Sequence, residues 1–451
     1  NEYGYKFTQR TEWIPTLNIH YYVGVDGIGI VMVLMAALVA FAATCCAQEI
    51  RTREKEFYIL LLLMTGGILG AFMSLDIFLM YFLHELALVP TFIMIGVWGR
   101  GQNKDFAAYK ITLYLSLGAL LTLAGVIMLY LQFGSFSLLN MMDHVTQFAG
   151  TEVGAFSATE QNVIFALLMF GLGILVGLWP FHTWAPLGYS AAPTATAMMH
   201  AGVIKKFGLF MLIKVALPLL PQGAQTWLPI LALLCLGNIL YCGLVAMRQK
   251  DLNLLIGNSS VAHMGFVFLG IASVTTIGLT GAVMVMVAHG LLAGLAFGLS
   301  GYLYSQARTL DMEKLQGLLA SMPFWGTLMI MALMAGCGLP GFANFAGELT
   351  VFFGAWKVYP VITTIGIWSA LVIGAVYMLR AIRTLLHGMK GEQTPEVEDL
   401  KHWQRLPYAL LVAVLLLFGF YPKLITDKIS KSNATFEQAK KGQTPTEEAT
   451  E

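Results

Sequence analysis

Residues 24–47 decide the fold class, and they read GVDGIGIVMVLMAALVAFAATCCA. This run of 24 residues contains one charged side chain, Asp26. A helix needs about 20 predominantly apolar residues to cross the hydrocarbon core of a bilayer. The sequence therefore predicts a membrane-spanning helix here, with Asp26 near its start, where a carboxylate commonly caps a helix.

Eleven further apolar runs follow along the 451 residues, of which 57% are hydrophobic and 11% charged. Ordinary soluble domains are about a quarter charged. The predicted fold is an all-α integral membrane protein of about 12 transmembrane helices. Residues 1–23 are predicted as an extracytoplasmic segment, 24–425 as the transmembrane domain and 426–451 as a polar tail. The predicted spans are 24–47, 56–74, 76–97, 107–132, 161–180, 195–219, 227–246, 254–273, 279–304, 323–353, 363–387 and 407–425.

The loops divide by charge, which predicts the orientation of the chain. The loops on one side of the membrane are rich in lysine and arginine, whereas those on the other side hold only one basic residue, Lys357. Basic loops face the cytoplasm, and an even number of spans then places both termini on the extracytoplasmic side. Because the first residue is Asn1, the natural chain is expected to begin earlier or to be short. The loops on the basic side hold Arg51, Arg53, Lys55, Arg100, Lys104, Arg248, Lys250, Arg308, Lys314, Lys390, Lys401 and Arg405.

Two of the predicted spans are interrupted by proline and glycine. One contains Gly177-Leu178-Trp179-Pro180, and the other contains Gly338-Leu339-Pro340-Gly341. Proline removes a backbone donor, and the freed groups need protein or water partners inside a membrane. Paired broken helices are typical of transporters built from inverted repeats, with a polar path near the middle of the membrane. Ordinary kinks in a packed bundle are the alternative.

Three ionisable residues lie deep in predicted spans: Glu85, Lys206 and Glu348. Such groups are costly in a membrane and indicate function by default, although structural ion pairs are the alternative. Three histidines, which can relay protons near neutral pH, lie at similar depth: His200, His263 and His289. Lys110 and Lys214 lie nearer helix ends, where a lysine can extend to the headgroups.

No phosphate-binding loop, haem or iron–sulfur ligand set, metal site or nucleophile–base pair is recognisable in the sequence. The five cysteines all lie in apolar runs without the paired spacing of a metal site, so they are interpreted as packing residues: Cys45, Cys46, Cys235, Cys242 and Cys337. We therefore expect any redox chemistry to belong to another subunit.

With these motifs in order, the chain resembles the M-type antiporter-like membrane subunit of respiratory complex I, the NADH:quinone oxidoreductase chain M family. That family is related to Mrp-type antiporters and membrane-bound hydrogenases. The similarity covers nearly the whole chain, although the first two of the family's usual fourteen helices are missing. The matching stretches are GVDGIGI at 24–30, HELALVPTFIMIGVWG at 84–99, AAYKITLY at 107–114, PFHTWAP at 180–186, AGVIKKFGLF at 201–210, RQKDLNLLIGNSSVAHMGFVFLGI at 248–271, AHGL at 288–291 and GLPGFANFAGEL at 338–349.

The resemblance implies a function and a set of site residues. Quinone reduction in another part of the complex would drive protons through two half-channels, which the site residues would join. The complex would lie in a bacterial inner membrane. NADH, FMN, iron–sulfur clusters and quinone are expected in partner subunits, which include neighbouring antiporter-like subunits. The positions that match the family's functional residues are Glu85, Lys110, Lys206, His263, His289 and Glu348.

The sequence departs from the family around one lysine. The family has a lysine seven residues before the histidine of the HTW stretch, and here that position is Leu175. Leu187 and Tyr189 likewise replace a family aspartate and histidine, while Lys205 is an additional lysine beside Lys206. Adjacent helical residues point about 100° apart, so the two lysines are not expected to line one path. Either Lys205 or Lys206 is expected to approach Glu85 in place of the missing lysine, with Lys205 preferred, or Glu85 is protonated or hydrated for much of the cycle.

Three functions remain open from the sequence. The first is a proton-translocating subunit of a complex I-type enzyme. The second is the equivalent subunit of a cation/proton antiporter or hydrogenase complex. The third is a structural spacer that has lost its own channel, for which Leu175 is the main reason. Whether protons or sodium ions move is not fixed by these motifs.

Overall fold

The computed structural model describes residues 3–147, 157–389 and 394–440. Helices dominate this part of the chain, which confirms the predicted all-α membrane class. The strands are β1 (Lys6–Ile14) and β2 (Ile19–Val25). The helices are α1 (Gly27–Cys46), α2 (Glu54–Met73), α3 (Ile77–Trp98), α4 (Lys104–Phe133), α5 (Leu138–Gln147), α6 (Ala158–Val176), α7 (Trp184–Ala191), α8 (194–219), α9 (Pro221–Arg248), α10 (Leu252–Ser273), α11 (Thr276–Ala307), α12 (Pro323–Gly336), α13 (Ala343–Trp356), α14 (Pro360–Leu386), α15 (Arg405–Phe420) and α16 (Lys423–Lys440).

Ten helices of the described chain are long and apolar enough to cross a membrane. The two remaining predicted spans are α8, which carries three lysines, and the broken pair α12–α13. All twelve predicted spans therefore correspond to helical segments. Lys390 and residues 441–451 of the predicted tail lie outside the described residues, and the proposed domain boundaries stay predictions.

Both predicted breaks are present. Helix α6 ends at Gly177, whose φ of 94° is left-handed, and the chain resumes as a helix at Trp184. The second break separates α12 from α13, and its glycines at 338 and 341 also have positive φ. Asn238 satisfies the freed backbone of the first break, because its amide donates to the Gly177 carbonyl and accepts from the Trp179 N–H, each at 2.8 Å. The relation of the two breaks by inverted repeats stays a prediction.

Helix α8 is not a regular helix. Two π-helical turns, His200–Ile204 and Leu212–Ala216, interrupt its α-helical geometry. Such wider turns change the direction of the side chains that follow and often occur at functional sites. The periodicity of the sequence did not predict them.

The centre of the bundle is formed by α10 and α11. In their most apolar windows, 94% and 100% of residues are buried inside the protein. Polar side chains within these windows are therefore shielded from lipid. This position places His263 of α10 and His289 of α11 in the interior.

A small antiparallel hairpin, β1–β2, precedes the first helix and was not predicted from the sequence. Asp76 connects it to the bundle, because the Asp76 carboxylate accepts from the His20 N–H at 3.1 Å while it caps α3. At the other end of the chain, α16 returns to the start of α1, where Ser432 Oγ accepts from the Gly27 N–H at 2.9 Å. The hairpin β1–β2 and α16, the first and last described elements, therefore lie on the same side of the bundle.

Candidate functional site

Four of the predicted site residues form one buried row. The Lys206 Nζ lies 2.9 Å from His289 Nδ1, and it donates to the Ala201 carbonyl at 2.5 Å. The rings of His289 and His263 are 5.4 Å apart, and His263 Nε2 lies 3.6 Å from Glu348 Oε1. All four are at least 94% buried. Helices α8, α11, α10 and α13 each contribute one member.

His263 is surrounded by acceptors. Its Nδ1 lies 2.7 Å from the Ser259 carbonyl, and its Nε2 lies 3.0 Å from the Gly336 carbonyl. A neutral imidazole donates from one nitrogen, whereas a protonated one donates from both. The second carbonyl belongs to the end of α12, so the helix break supplies a backbone acceptor. This arrangement can receive a proton without any rearrangement of the ring.

Two small cavities border His263. One is lined by His263, Glu348, Gly336 and Tyr377 and measures about 20 Å³. The other, of about 20 Å³, is lined by His263, His289 and Ser260. About 10–15 Å³ is enough for one water molecule when polar partners are present. The terminal contacts of 2.9 and 3.6 Å, together with a cavity between the two histidines that is large enough for one water, fit the direct or water-mediated steps that a proton relay requires.

Lys205 does not form the predicted pair with Glu85. Its Nζ donates to the carbonyl and hydroxyl oxygens of Ser260 on α10 and lies 5.6 Å from the centre of the Tyr189 ring. Among the described residues, no lysine nitrogen lies within 4 Å of the Glu85 carboxylate, which is close only to His84. The physical reason is the one-residue offset along α8. It points Lys206 towards His289 of α11 and Lys205 towards Ser260 of α10, and the expectation that they do not share one path stays a prediction.

Glu85 and Lys110 lie outside the buried row. Glu85 is 29% exposed, with its Oε1 3.4 Å from His84 Nδ1. Lys110 is half-buried, with its Nζ 5.9 Å from the centre of the Phe106 ring. Within the described ranges, Lys110 has no carboxylate at ion-pair distance. The structure therefore brings four of the seven predicted site residues together in the row, and Lys205 lies beside it.

A buried ion pair was missed. Asp26 and Lys214 are 2.6 Å apart and almost fully buried. The ring of Tyr5 lies 4.5 Å from the Lys214 Nζ, and Ser432 of α16 also hydrogen-bonds Asp26. Asp26 does cap α1 as expected, accepting from the Gly29 N–H at 2.9 Å. The interpretation of Lys214 as a residue that extends to the headgroups is wrong, because its ammonium is buried and bound to Asp26. This partner lies 188 residues away in the sequence.

A second missed pair joins Glu49 to Arg100. The Glu49 carboxylate binds the Arg100 guanidinium and accepts from the N–H of Thr194, the first residue of α8, at 2.7 Å. The positive end of a helix attracts such a carboxylate. No periodic signal connects these residues, although Arg100 and Glu49 lie in loops that the charge bias places on one face. Among the described residues, no cluster of three or more His, Cys, Asp and Glu side chains could hold a metal.

Together, the fold and the row of ionisable residues define a class: multi-pass membrane proteins that contain a buried lysine–histidine–glutamate chain at a helix break. Residues 74–374 match the family described as NADH:quinone oxidoreductase/Mrp antiporter, TM. The chain belongs to this family, and the resemblance carried by its motifs is confirmed.

Relatives and solved structures agree with this assignment. The chain is 32% identical over 435 residues to the NADH-quinone oxidoreductase subunit M of Rhodobacter capsulatus, covering 96% of this chain and 84% of that one. It is 33% identical over 434 residues to the NAD(P)H-quinone oxidoreductase chain 4 1 of Synechococcus elongatus, covering 94% and 79%. A chain in the structure of respiratory complex I from Thermus thermophilus with bound NADH has a TM-score of 0.88 at 27% identity, covering 96% and 89%.

A chain of the Mrp complex from Dietzia shares the fold alone, with a TM-score of 0.83 at 18% identity and coverage of 97% and 90%. The fold is therefore common to redox-driven and antiporter complexes. Sequence identity is higher for the NADH-quinone oxidoreductase relatives. This difference bears on which complex contains the chain.

Proposed function

We propose that this chain is a proton-translocating membrane subunit of a complex I-type NADH:quinone oxidoreductase. The observation that carries the proposal is the buried row Lys206–His289–His263–Glu348, in which the two terminal contacts are 2.9 and 3.6 Å and the two histidine ring centroids are 5.4 Å apart. Buried ionisable groups of this kind are expensive in a membrane and indicate an ion pathway. Membership of the family and the named relatives support the choice of complex.

The row offers a direction for transfer. A proton on Lys206 can pass to His289, then to His263 and finally to Glu348, which is the acidic end. Lys205 and Lys206 are adjacent and fully buried, and two like charges repel strongly in a medium of low dielectric constant. A charge that approaches from a neighbouring subunit would change this balance and drive the proton along the row.

The redox centres are assigned to other subunits. NADH, FMN, iron–sulfur clusters and quinone would bind there, and this chain would contribute the ion pathway to the translocase. Neighbouring antiporter-like subunits and the lipid bilayer are its proposed partners. The proposed location is a bacterial inner membrane, with both termini on the extracytoplasmic side, as the distribution of basic loop residues indicates.

Two other functions are weaker. The first is a subunit of an Mrp-type antiporter or a membrane-bound hydrogenase complex; a chain of the Mrp complex shares the fold, but at lower identity. A spacer without a channel is suggested by Leu175, yet the row between α8 and α13 is complete. The absence of a lysine at position 175 therefore does not remove the relay between α8 and α13.

The test uses the intact complex in proteoliposomes. Lys206→Ala and Glu348→Gln should each lower the number of protons moved per NADH oxidised, because each removes one end of the row. The double variant should lose no more than either single variant, since one interrupted path cannot be interrupted again. A pH-sensitive dye reports proton movement, and parallel uptake of radioactive sodium separates the two ions.

Lys250→Ala is the matched control, because this lysine is 69% exposed and lies outside the row. It should leave the proton-to-NADH ratio unchanged. Normal ratios in both Lys206→Ala and Glu348→Gln would reject the proposed pathway. If the intact complex takes up sodium and moves no protons, the transported ion is sodium and the proposal of proton translocation is wrong.

A further inference from the structure

The space between Glu85 and the two lysines contains polar groups that the buried row does not use. His84, on α3, is 1% exposed, and its Nδ1 lies 3.4 Å from Glu85 Oε1. The His84 ring stacks on Phe207, with centroids 3.9 Å apart and planes at 12°. Phe207 directly follows Lys206. His84 therefore extends from the glutamate to the turn of α8 that carries the lysines.

His200 continues from that point. It is 1% exposed, and neither ring nitrogen has a hydrogen-bond partner among the described residues. The charged or titratable groups that act on it are Lys205, His84 and Lys206. His200 also begins the first π-helical turn, and the carbonyl of the next residue, Ala201, binds Lys206. Both nitrogens of the buried His200 imidazole are therefore available to exchange protons.

Tyr189 connects His200 to the additional lysine. Its ring lies 5.7 Å from the His200 ring and 5.6 Å from the Lys205 Nζ. The buried Tyr189 hydroxyl has no hydrogen-bond partner in the described part of the chain. Buried polar groups are nearly always paired with protein or water. Several unused groups in one region therefore indicate a polar path rather than a packed apolar contact.

Leu175 stands where the family has a lysine, and its side chain carries no exchangeable proton. Leu175 is 2% exposed and packs against Gly118 of α4. A relay that needs a lysine at this position would be interrupted here. His84 of α3 stacks on Phe207, the residue after Lys206, and His200 lies on α8 itself, five and six residues before the two lysines. The two histidines provide exchangeable protons where the side chain of residue 175 provides none.

We propose that His84 and His200 carry protons between Glu85 and the Lys205–Lys206 pair, and so replace the lysine that is absent at Leu175. This inference rests on the proposed function, because it extends the same pathway towards Glu85. The carboxyl proton of Glu85 passes to His84, which releases its other ring proton towards His200. His200 accepts that proton on one nitrogen and releases one from the other to a neutral lysine amine. Each imidazole ends neutral, and one proton has moved.

The experiment again uses the intact complex in proteoliposomes, with NADH oxidation and proton movement measured together. His200→Leu and His84→Phe should each lower the proton-to-NADH ratio by the same amount as Lys206→Ala. His200→Leu combined with Lys206→Ala should lower it no further. Adding Leu175→Lys to His200→Leu should restore at least half of the lost proton movement, because a cation at residue 175 would bypass the histidine. If His200 had only a structural role, Leu175→Lys would not restore proton movement.

His402→Leu is the matched control, because this histidine is exposed at the start of the last spanning segment. If His200→Leu prevents assembly, His200→Gln keeps the polarity and volume without proton exchange, and the same loss and the same rescue are expected. A normal ratio in the histidine variants, with a lowered ratio in Lys206→Ala, would overturn this inference and leave the proposed function intact. Loss without rescue by Leu175→Lys would also overturn it.

Discussion

At the scale of single residues, the interior contains two kinds of charged contact with different consequences. The row from Lys206 to Glu348 has terminal contacts of 2.9 and 3.6 Å and a separation of 5.4 Å between its two imidazole centroids, all between groups that can exchange protons. The Asp26–Lys214 pair is a closed ion pair at 2.6 Å with an aromatic ring over the lysine. Removing one partner of a buried pair leaves an uncompensated charge. The first arrangement suits transfer, and the second suits stability.

Lys214→Met should therefore destabilise the protein by about 3–5 kcal/mol. The double variant Asp26→Asn/Lys214→Met should recover part of this loss, because the unpaired carboxylate is then removed as well. Thermal unfolding of the detergent-solubilised complex measures the effect. Lys250→Met is the control, since Lys250 and Glu313 form an exposed pair at 3.0 Å that contributes about 0–1 kcal/mol. Equal effects of Lys214→Met and Lys250→Met would contradict this assignment.

At the scale of helices, small residues determine how closely the proton-carrying elements approach. Helices α11 and α13 touch through glycine at 281 and 347. A Cβ added at Gly281 would lie 2.5 Å from the Val351 backbone nitrogen, one turn from Glu348. In membranes, where lipid is as apolar as leucine, this close packing is the main source of helix association. The contact holds the carboxylate of α13 against the histidine of α10.

Gly281→Ala should move α13 away from α11 and cost about 1–3 kcal/mol, as overpacking usually does. The longer distance from His263 to Glu348 should lower the proton-to-NADH ratio while NADH oxidation continues. Gly66→Ala is the matched control, because nothing lies within 4 Å of a Cβ added at that position of α2. A stable Gly281→Ala complex with normal pumping would show that the helix contact does not position the carboxylate.

At the scale of the whole molecule, the N-terminal hairpin and α16 occupy one end of the bundle. The predicted basic loops, by contrast, follow helices such as α1 and α3 at their other ends. An even number of crossings explains why the two described ends of the chain meet. The distribution of charge predicts the orientation, with the basic loops on the cytoplasmic side.

In a cysteine-free background, Arg53→Cys should react with a membrane-impermeant maleimide only from the cytoplasmic side. Lys357→Cys should react only from the opposite side. Both positions are exposed in the structure, so access is controlled by the membrane alone. Mass shifts on intact and inverted vesicles provide the measurement. Labelling of both positions from one side would contradict the predicted topology.

The sequence predicted the helices and their breaks because apolar length and proline–glycine pairs act locally. It also predicted that Lys205 and Lys206 diverge, since the helical rotation per residue is fixed. It did not predict which helix each lysine faces, because the π-helical turn before them alters the rotation. The Asp26 pairing was out of reach for another reason: its partner is on α8, and tertiary packing alone brings them together. Lys205 failed as a partner of Glu85 for the same reason.

The closure of the ion pair at the end of the bundle has a consequence for biogenesis. Asp26 is synthesised early, whereas Ser432, which hydrogen-bonds it, is added more than 400 residues later. N-terminal parts of a chain insert and fold first during synthesis. Until α16 docks, Asp26 lacks its hydrogen bond to Ser432. The last contact of this buried pair therefore forms only after the segment that contains Ser432 has been synthesised.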